Sequence, residues 1–180
     1  VELDFNAAEL RTLLALSGLE QPQEDLHEWN IKNVFGENVT REEAKKRVFA
    51  WLYNPDAKDN LLEQTYDRES VVKKYFTGEQ VSTFFDRTIP CDHHHALNYI
   101  IQSTTSDLLL KQMVKVDKML KEMQTFVSFP MHDSLILDMS LDDRGLLREL
   151  ITVFTSTELG QFKANVSIGK NFGEMKRYEV

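Results

Sequence analysis

One aspartate in this sequence sits where a carboxylate could ligate a divalent metal, and another ends a strand beside a helix N-terminus. Asp133 follows His132 between two short apolar runs in residues 126–139 (FVSFPMHDSLILDM). Val127, Phe129, Leu135 and Leu137 predict a tight hairpin with the His-Asp pair at its tip, and Pro130 suits a strand position where a ladder donor is spared. Packed backbone holds a carboxylate at such a tip while its oxygens stay in water, which suits a metal ligand. Asp is equally a common turn residue. Asp4 ends a strand-like run over residues 1–5, and a helix is predicted directly after it over residues 6–16 (NAAELRTLLAL), with Asn6 as N-cap and Ser17-Gly18 as the stop.

A second group is cationic and aromatic. Thr40 and Glu43 have capping-box spacing and open a helix that Asn54-Pro55 ends. Arg41, Lys45 and Phe49 recur along it at every fourth position, with Leu52 and Tyr53 continuing that face. A cation in the first turn opposes the helix dipole, so Arg41 is poorly placed for stability and well placed to hold an anion. An ordinary amphipathic helix with solvated charges has the same pattern. His93, His94 and His95 add no metal site, because consecutive helical residues point about 100° apart and cannot chelate one ion together.

The elements that position these residues follow from periodicity. A second helix is predicted over residues 24–34, one or two more over 56–77, and a short strand over 80–85. The longest helix spans 92–123, with Leu97, Ile101, Leu108, Met113 and Leu120 on its apolar face and Lys111, Lys115 and Lys118 on a solvated one. After the hairpin come a helix over 141–159 and a final strand over 164–168 (ANVSI). Residues 1–5 and the three late strands are expected to form one antiparallel sheet backed by helices, an α+β class.

With 180 residues, 42% hydrophobic and 28% charged, the chain reads as one globular domain. Its single cysteine, Cys91, rules out an internal disulfide and a thiolate zinc cluster, and fits a reducing compartment. No apolar run reaches the roughly 18 residues of a membrane span and no leader pattern opens the chain, so the expected place is the cytoplasm. A net charge of −8 argues against wrapping nucleic acid over the whole surface. Residues 1–40 carry eight acidic and two basic side chains, whereas 41–47 (REEAKKR) carry four basic and two acidic ones. A polyanion would go to the second stretch. The chain opens on Val1, as expected of a processed product or an excerpt of something longer.

Taken together, these stretches resemble the polymerase domain of family A DNA polymerases, the DNA polymerase I-like group that includes many bacteriophage enzymes. Residues 4–11 (DFNAAELR) look like motif A, 41–54 (REEAKKRVFAWLYN) like motif B, and 131–134 (MHDS) like motif C. Residues 98–107 (NYIIQSTTSD) resemble the template-primer helix and 166–172 (VSIGKNF) the closing palm strand. Order and spacing fit over essentially the whole chain. The resemblance implies an antiparallel palm sheet over about 1–20 and 99–180, with a trimmed helical fingers subdomain over about 21–98 and no thumb.

It also implies template-directed DNA synthesis, an in-line phosphoryl transfer from a deoxynucleoside triphosphate to a primer 3′-hydroxyl assisted by two Mg²⁺ ions about 4 Å apart. By resemblance Asp4, Asp133 and the carbonyl of Phe5 are the metal ligands, and His132 contacts the primer end. Arg41 and Lys45 take the triphosphate, Phe49 the sugar and base, and Tyr53 floors the nascent pair. Glu9 gates against a ribose 2′-hydroxyl. Asn98 and Gln102 read the minor groove of primer-template DNA. The sequence departs from the family pattern at several of its positions. Ser134 stands where the family has Glu, Ala50 and Asn54 replace glycines of motif B, and His94 replaces an Arg that bacterial members carry at the DNA.

The implied partner is an N-terminal segment carrying the thumb and the remaining palm. It would complete the sheet beside residues 1–5, which are expected to present an open edge. If phage-encoded, the chain works in a bacterial cytoplasm. A rival reading is a polymerase-like module that holds DNA or nucleotide without chemistry, against which the retained Asp4, Asp133, Arg41 and Lys45 argue. A His-Asp phosphohydrolase would need further ligands on helices. A Ser-His-Asp hydrolase fails because neighbouring residues of a turn diverge.

Overall fold

A computed structural model describes residues 1–36 and 38–179. The chain divides into two compact units, one made of Val1–Ala8 with the residues from Ser106 on, the other of Glu9–Thr105. The first is built on a five-stranded antiparallel sheet and the second is mainly helical.

The sheet has β1 (Glu2–Phe5) at its centre. On one side lies the hairpin of β4 (Phe126–Met131) and β5 (Ser134–Asp138), and on the other β8 (Ala164–Ile168) and β9 (Lys176–Tyr178), in the order β4-β5-β1-β8-β9. Here β2 (Gln80–Ser82) and β3 (Thr88–Pro90) form a hairpin of the helical unit, and β6 (Ser156–Thr157) and β7 (Gly160–Gln161) a second short hairpin. The expected open edge beside residues 1–5 is therefore corrected: β1 pairs with β5 through Leu3 and Leu135 and with β8 through Leu3 and Val166. The edges are β4, where Pro130 spares its missing donor, and β9. Residues 164–168 are not the last strand either. β9 follows a turn in which a Cβ on Gly169 would meet the carbonyl oxygen of Glu174 at 2.8 Å, so the close approach of backbone there requires glycine.

Leu3, Phe5, Leu135, Leu137 and Val166 are buried. The ring of Phe5 stacks on Phe154 at 4.2 Å and meets Phe162 edge-on at 5.4 Å, so α7 (Leu147–Thr155) lies against the sheet. The predicted 141–159 helix is shorter than expected, because a 3₁₀ turn (Leu141–Leu146) precedes α7 and the β6–β7 hairpin follows it. The long helix is α6 (His93–Met119). Leu97, Ile101 and Leu108, and Leu120 just after the helix, are buried as expected, but Met113 is half-buried while its polar neighbour Gln112 is fully buried. The Gln112 amide donates to the carbonyls of Val153, Phe154 and Ser156, each at 2.9 Å, and so closes the C-terminal end of α7. Lys111 and Lys115 both approach Glu158 rather than standing alone in solvent.

In the helical unit α1 is Ala8–Leu16, ended by Gly18 at φ +73° with the amide of Leu19 bonded to Leu14 at 2.9 Å, a left-handed C-terminal cap. α2 (Leu26–Asn30) is capped by Asp25 and runs into a π turn (Ile31–Phe35). α3 is Arg41–Tyr53, with Thr40 and Glu43 making both halves of the capping box. α4 (Asn60–Thr65) and α5 (Arg68–Tyr75) follow. The guanidinium of Arg68 lies 4.5 Å from the ring of Trp51 and donates to the carbonyls of Trp51 and Ala57, sealing the end of α3. Among the described residues no helix is long and apolar enough to cross a membrane.

Candidate functional site

In the sheet unit Asp4 lies opposite Ser134 in the β1–β5 register, and the amide of Phe5 donates to the carbonyl of Asp133 at 3.1 Å. The two aspartates thus sit on neighbouring chain segments at the same end of the sheet. Strand alternation puts Leu3 and Phe5 into the core and Glu2 and Asp4 on the opposite face, half-buried. His132 and Asp133 are the central residues of a two-residue turn. His132 takes φ +54°, the left-handed value that a twisted hairpin asks of its first turn residue, and its side chain is exposed. Asp133 is half-buried.

The donor set fits Mg²⁺ chemically: two carboxylates and backbone oxygen are hard ligands, and Mg²⁺ is commonly held by one or two carboxylates plus substrate phosphates rather than by an all-protein cage. No cluster of three or more His, Cys, Asp or Glu side chains able to hold a metal occurs among the described residues. Ser134 contributes no third anion. It is buried, and its hydroxyl donates to the carbonyl of Met131 at 2.9 Å.

A residue that sequence reasoning missed joins this face. Asn165 stands opposite Asp4 on β8, and its Nδ2 donates to Asp4 Oδ2 at 3.0 Å. Only the register of two strands distant in sequence could have pointed to it.

In the helical unit α3 carries its strip much as the spacing predicts. Phe49 and Tyr53 stack at 5.8 Å with 10° between their planes, and Lys45 Nζ lies 5.9 Å from the centre of the Phe49 ring. Leu52 does not belong to that face. It is buried with Ala44, Val48 and Trp51, whereas Tyr53 is exposed. Arg41 does hold anions: its Nη2 is 3.1 Å from Asp25 and its Nε 3.6 Å from Glu28. Being largely exposed, these pairs contribute at most about 1 kcal/mol and can be exchanged for another anion.

The Asn98 amide reaches the carbonyl of Tyr53 at 3.4 Å, and Gln102 is exposed one turn further along α6. His94 is exposed, while His95 pairs with Asp92 at 2.8 Å. Asn54 caps α3, accepting from the amide of Asp56 at 3.0 Å. Glu9 is half-buried in the first turn of α1.

His27 is the second residue missed. It is 5% exposed, its ring lies 6.0 Å from that of Phe49, and its Nδ1 is buried with no hydrogen-bond partner. A polar ring two places after a helix-capping Asp and just ahead of the basic helix was the available signal. Burial holds its pKa below the ordinary 6.5, with Arg41 and Lys45 pushing the same way against Asp25 and Glu42. The unfolded chain therefore takes up this proton more readily, so stability attached to neutral His27 is present above about pH 6.5 and lost as pH falls through it. We expect the melting temperature to drop between pH 7.5 and 5.5, and to drop measurably less in His27→Gln. Parallel curves for the two proteins would remove His27 from that role.

No protein-family profile matches the chain. The chain is 22% identical over 151 residues to DNA polymerase I of Borreliella burgdorferi, covering 76% of this chain and 16% of that protein. It is 23% identical over 195 residues to the DNA polymerase of Mycobacterium phage D29 (88% and 32%), and 25% identical over 226 residues to DNA polymerase I of Chloroflexus aurantiacus (97% and 24%). It therefore spans between 16% and 32% of the length of these relatives. Among solved structures it shares the fold of the polymerase domain of Pol1 from M. smegmatis, described in complex with DNA primer-template and dNTP, at TM-score 0.67 and 18% identity over 91% of this chain and 38% of that one. In sequence the chain is similar to DNA polymerases, two of them DNA polymerase I, and in fold to a polymerase domain.

Proposed function

We propose that this chain is the nucleotide-transfer portion of a DNA polymerase, with the sheet unit as palm and the helical unit as a trimmed fingers subdomain. The observation that carries the reading is the pairing of the central strand β1 with the β4–β5 hairpin, which brings Asp4 and the Asp133 turn to one end of one sheet. Asp4, Asp133 and the carbonyl of Phe5 would hold two Mg²⁺ ions, which supply activation of the primer hydroxyl and neutralise charge on the leaving pyrophosphate. His132, exposed at the same tip, would meet the primer end.

On α3, Arg41 and Lys45 are cations followed by the stacked Phe49 and Tyr53, a strip that suits a molecule with phosphates at one end and a base at the other. Arg41 would leave Asp25 and Glu28 for the triphosphate. Glu9 would exclude a ribose 2′-hydroxyl, and Asn98 and Gln102, with His94 earlier on the same helix and Asn54 at the end of α3, would face the DNA. Because the chain spans at most 32% of the length of the relatives described above, we also propose that efficient synthesis draws on polymerase parts outside these residues, a thumb above all.

The test is extension of a labelled primer on a defined template with the four deoxynucleotides, in Mg²⁺ or in EDTA, with and without a thumb-bearing segment of a related polymerase. Template-directed, Mg²⁺-dependent lengthening is expected. DNA binding with no lengthening under either condition would replace this reading with that of a non-catalytic binding module.

A further inference from the structure

We propose that Asn165 is a positioning residue for the Asp4 carboxylate, an inference that rests on the polymerase reading above. Asn165 lies directly across from Asp4 in the β1–β8 register, with its Nδ2 donating to Asp4 Oδ2 at 3.0 Å. The other end of the same amide, Oδ1, accepts from Nη2 of Arg177 on β9 at 3.3 Å. The sense of the amide is settled by chemistry, since a carboxylate only accepts and a guanidinium only donates. Three adjacent strands thus carry one directed line of hydrogen bonds, from the exposed Arg177 through the half-buried Asn165 to Asp4.

This arrangement suits a ligand carboxylate in three respects. An amide bonded to one carboxylate oxygen restricts rotation of the group, so its geometry is set before a cation arrives. Being neutral, the amide neither repels the cation nor competes for it as a second ligand charge. Arg177 bonded to Oδ1 polarises the amide and strengthens the donor that faces Asp4, while its own charge stays one strand further from the site. Ser134, the residue opposite Asp4 on β5, gives its hydroxyl to the carbonyl of Met131 instead.

The test is Mn²⁺ binding to the chain, followed by electron paramagnetic resonance, for the native protein and for Asp4→Asn, Asn165→Ala, Asn165→Leu and Arg177→Met, with circular dichroism and melting temperature recorded for each. We expect Asn165→Ala and Asn165→Leu to weaken Mn²⁺ binding by about 10-fold to 100-fold, the usual cost of losing a partner that orients a ligand. Arg177→Met, at an exposed position, is expected to weaken it less, by roughly threefold, with circular dichroism unchanged. Asp4→Asn should lose binding. If Asp4→Asn loses binding while the Asn165 variants stay within about twofold of native, the positioning role is overturned and the carboxylate site stands. If Asp4→Asn binds as native does, the metal-site reading falls and this inference with it. Should the Asn165 variants unfold, Arg177→Met decides, and native affinity in that variant overturns the proposal.

Discussion

We expect Asp4→Asn and Asp133→Asn each to reduce primer extension by on the order of a thousandfold or more, with the fold intact. Each change is isosteric and removes one anion from a site whose proposed catalysis would consist mostly of placing metal ions, and a metal supplies several kcal/mol of charge stabilisation, about a factor of ten per 1.4 kcal/mol. At Asp4 the replacement amide still offers an oxygen to the Asn165 donor, so the β1–β8 contact survives and the loss reports on charge. At Asp133 the backbone carbonyl, not the side chain, accepts from Phe5, so the hairpin junction is untouched. The measurement is single-turnover extension in Mg²⁺ together with circular dichroism. Near-native rates in either variant would sink the assignment of these carboxylates.

We expect Arg11→Leu to lower stability by about 3 kcal/mol, the cost of losing two bonds from a buried guanidinium and leaving their partly buried carbonyls without that donor. Arg11 is fully buried, and its guanidinium donates to the carbonyl of Pro22 at 2.7 Å and of Glu24 at 2.8 Å. The Gln21 side chain returns a bond to the Arg11 carbonyl at 2.7 Å. Burial pulls the Arg11 pKa down to about 10, opposed by Asp25, so it remains charged at neutral pH. This clamp holds the link between α1 and α2, and so Asp25 and His27, beside the start of α3. For a chain of this size the loss corresponds to roughly 6–12 °C in melting temperature. Arg11→Lys should recover little of it, because an ammonium cannot span two carbonyls as a fork does. A melting temperature within about 2 °C of native in Arg11→Leu would show that the link is held by other contacts.

What could be read in the sequence was what local chemistry dictates. The Thr40–Glu43 box, the Gly18 stop, the 126–139 hairpin and the Lys45–Phe49–Tyr53 strip depend on residues within a turn or two of one another, and all are present. Period-2 alternation in residues 1–5 tells which side chains face the core, but a strand's period says nothing of its neighbours, so the central place of β1 is not visible in it. β3 and β9 escaped because each is three residues long and mostly exposed, which leaves no apolar alternation to detect. Leu52 was assigned to the wrong face because helical spacing alone could not separate it from Tyr53, whereas burial does. Asn165 is a fact of register between strands far apart in the chain, and the anionic partners of Arg41 are a fact of packing between two neighbouring helices. Gln112 was missed for a related reason: a polar side chain at a core position is intelligible only once the three carbonyls it serves are in place.

The central place of β1 also sets an order of events for a newly made chain. Its four residues are made well before β5 and β8, and Leu3 finds its partners only when Leu135 and Val166 exist. Residues 9–105 are contiguous and can condense by local contacts, while the sheet waits for loop closure across most of the polypeptide, the slow kind of pairing. The strand bearing Asp4 is therefore made before both of its neighbours and seated only after the second of them. Translation halted before β8 would leave β1 with one bare flank, so the carboxylate face of the sheet is assembled only once β8 has been made.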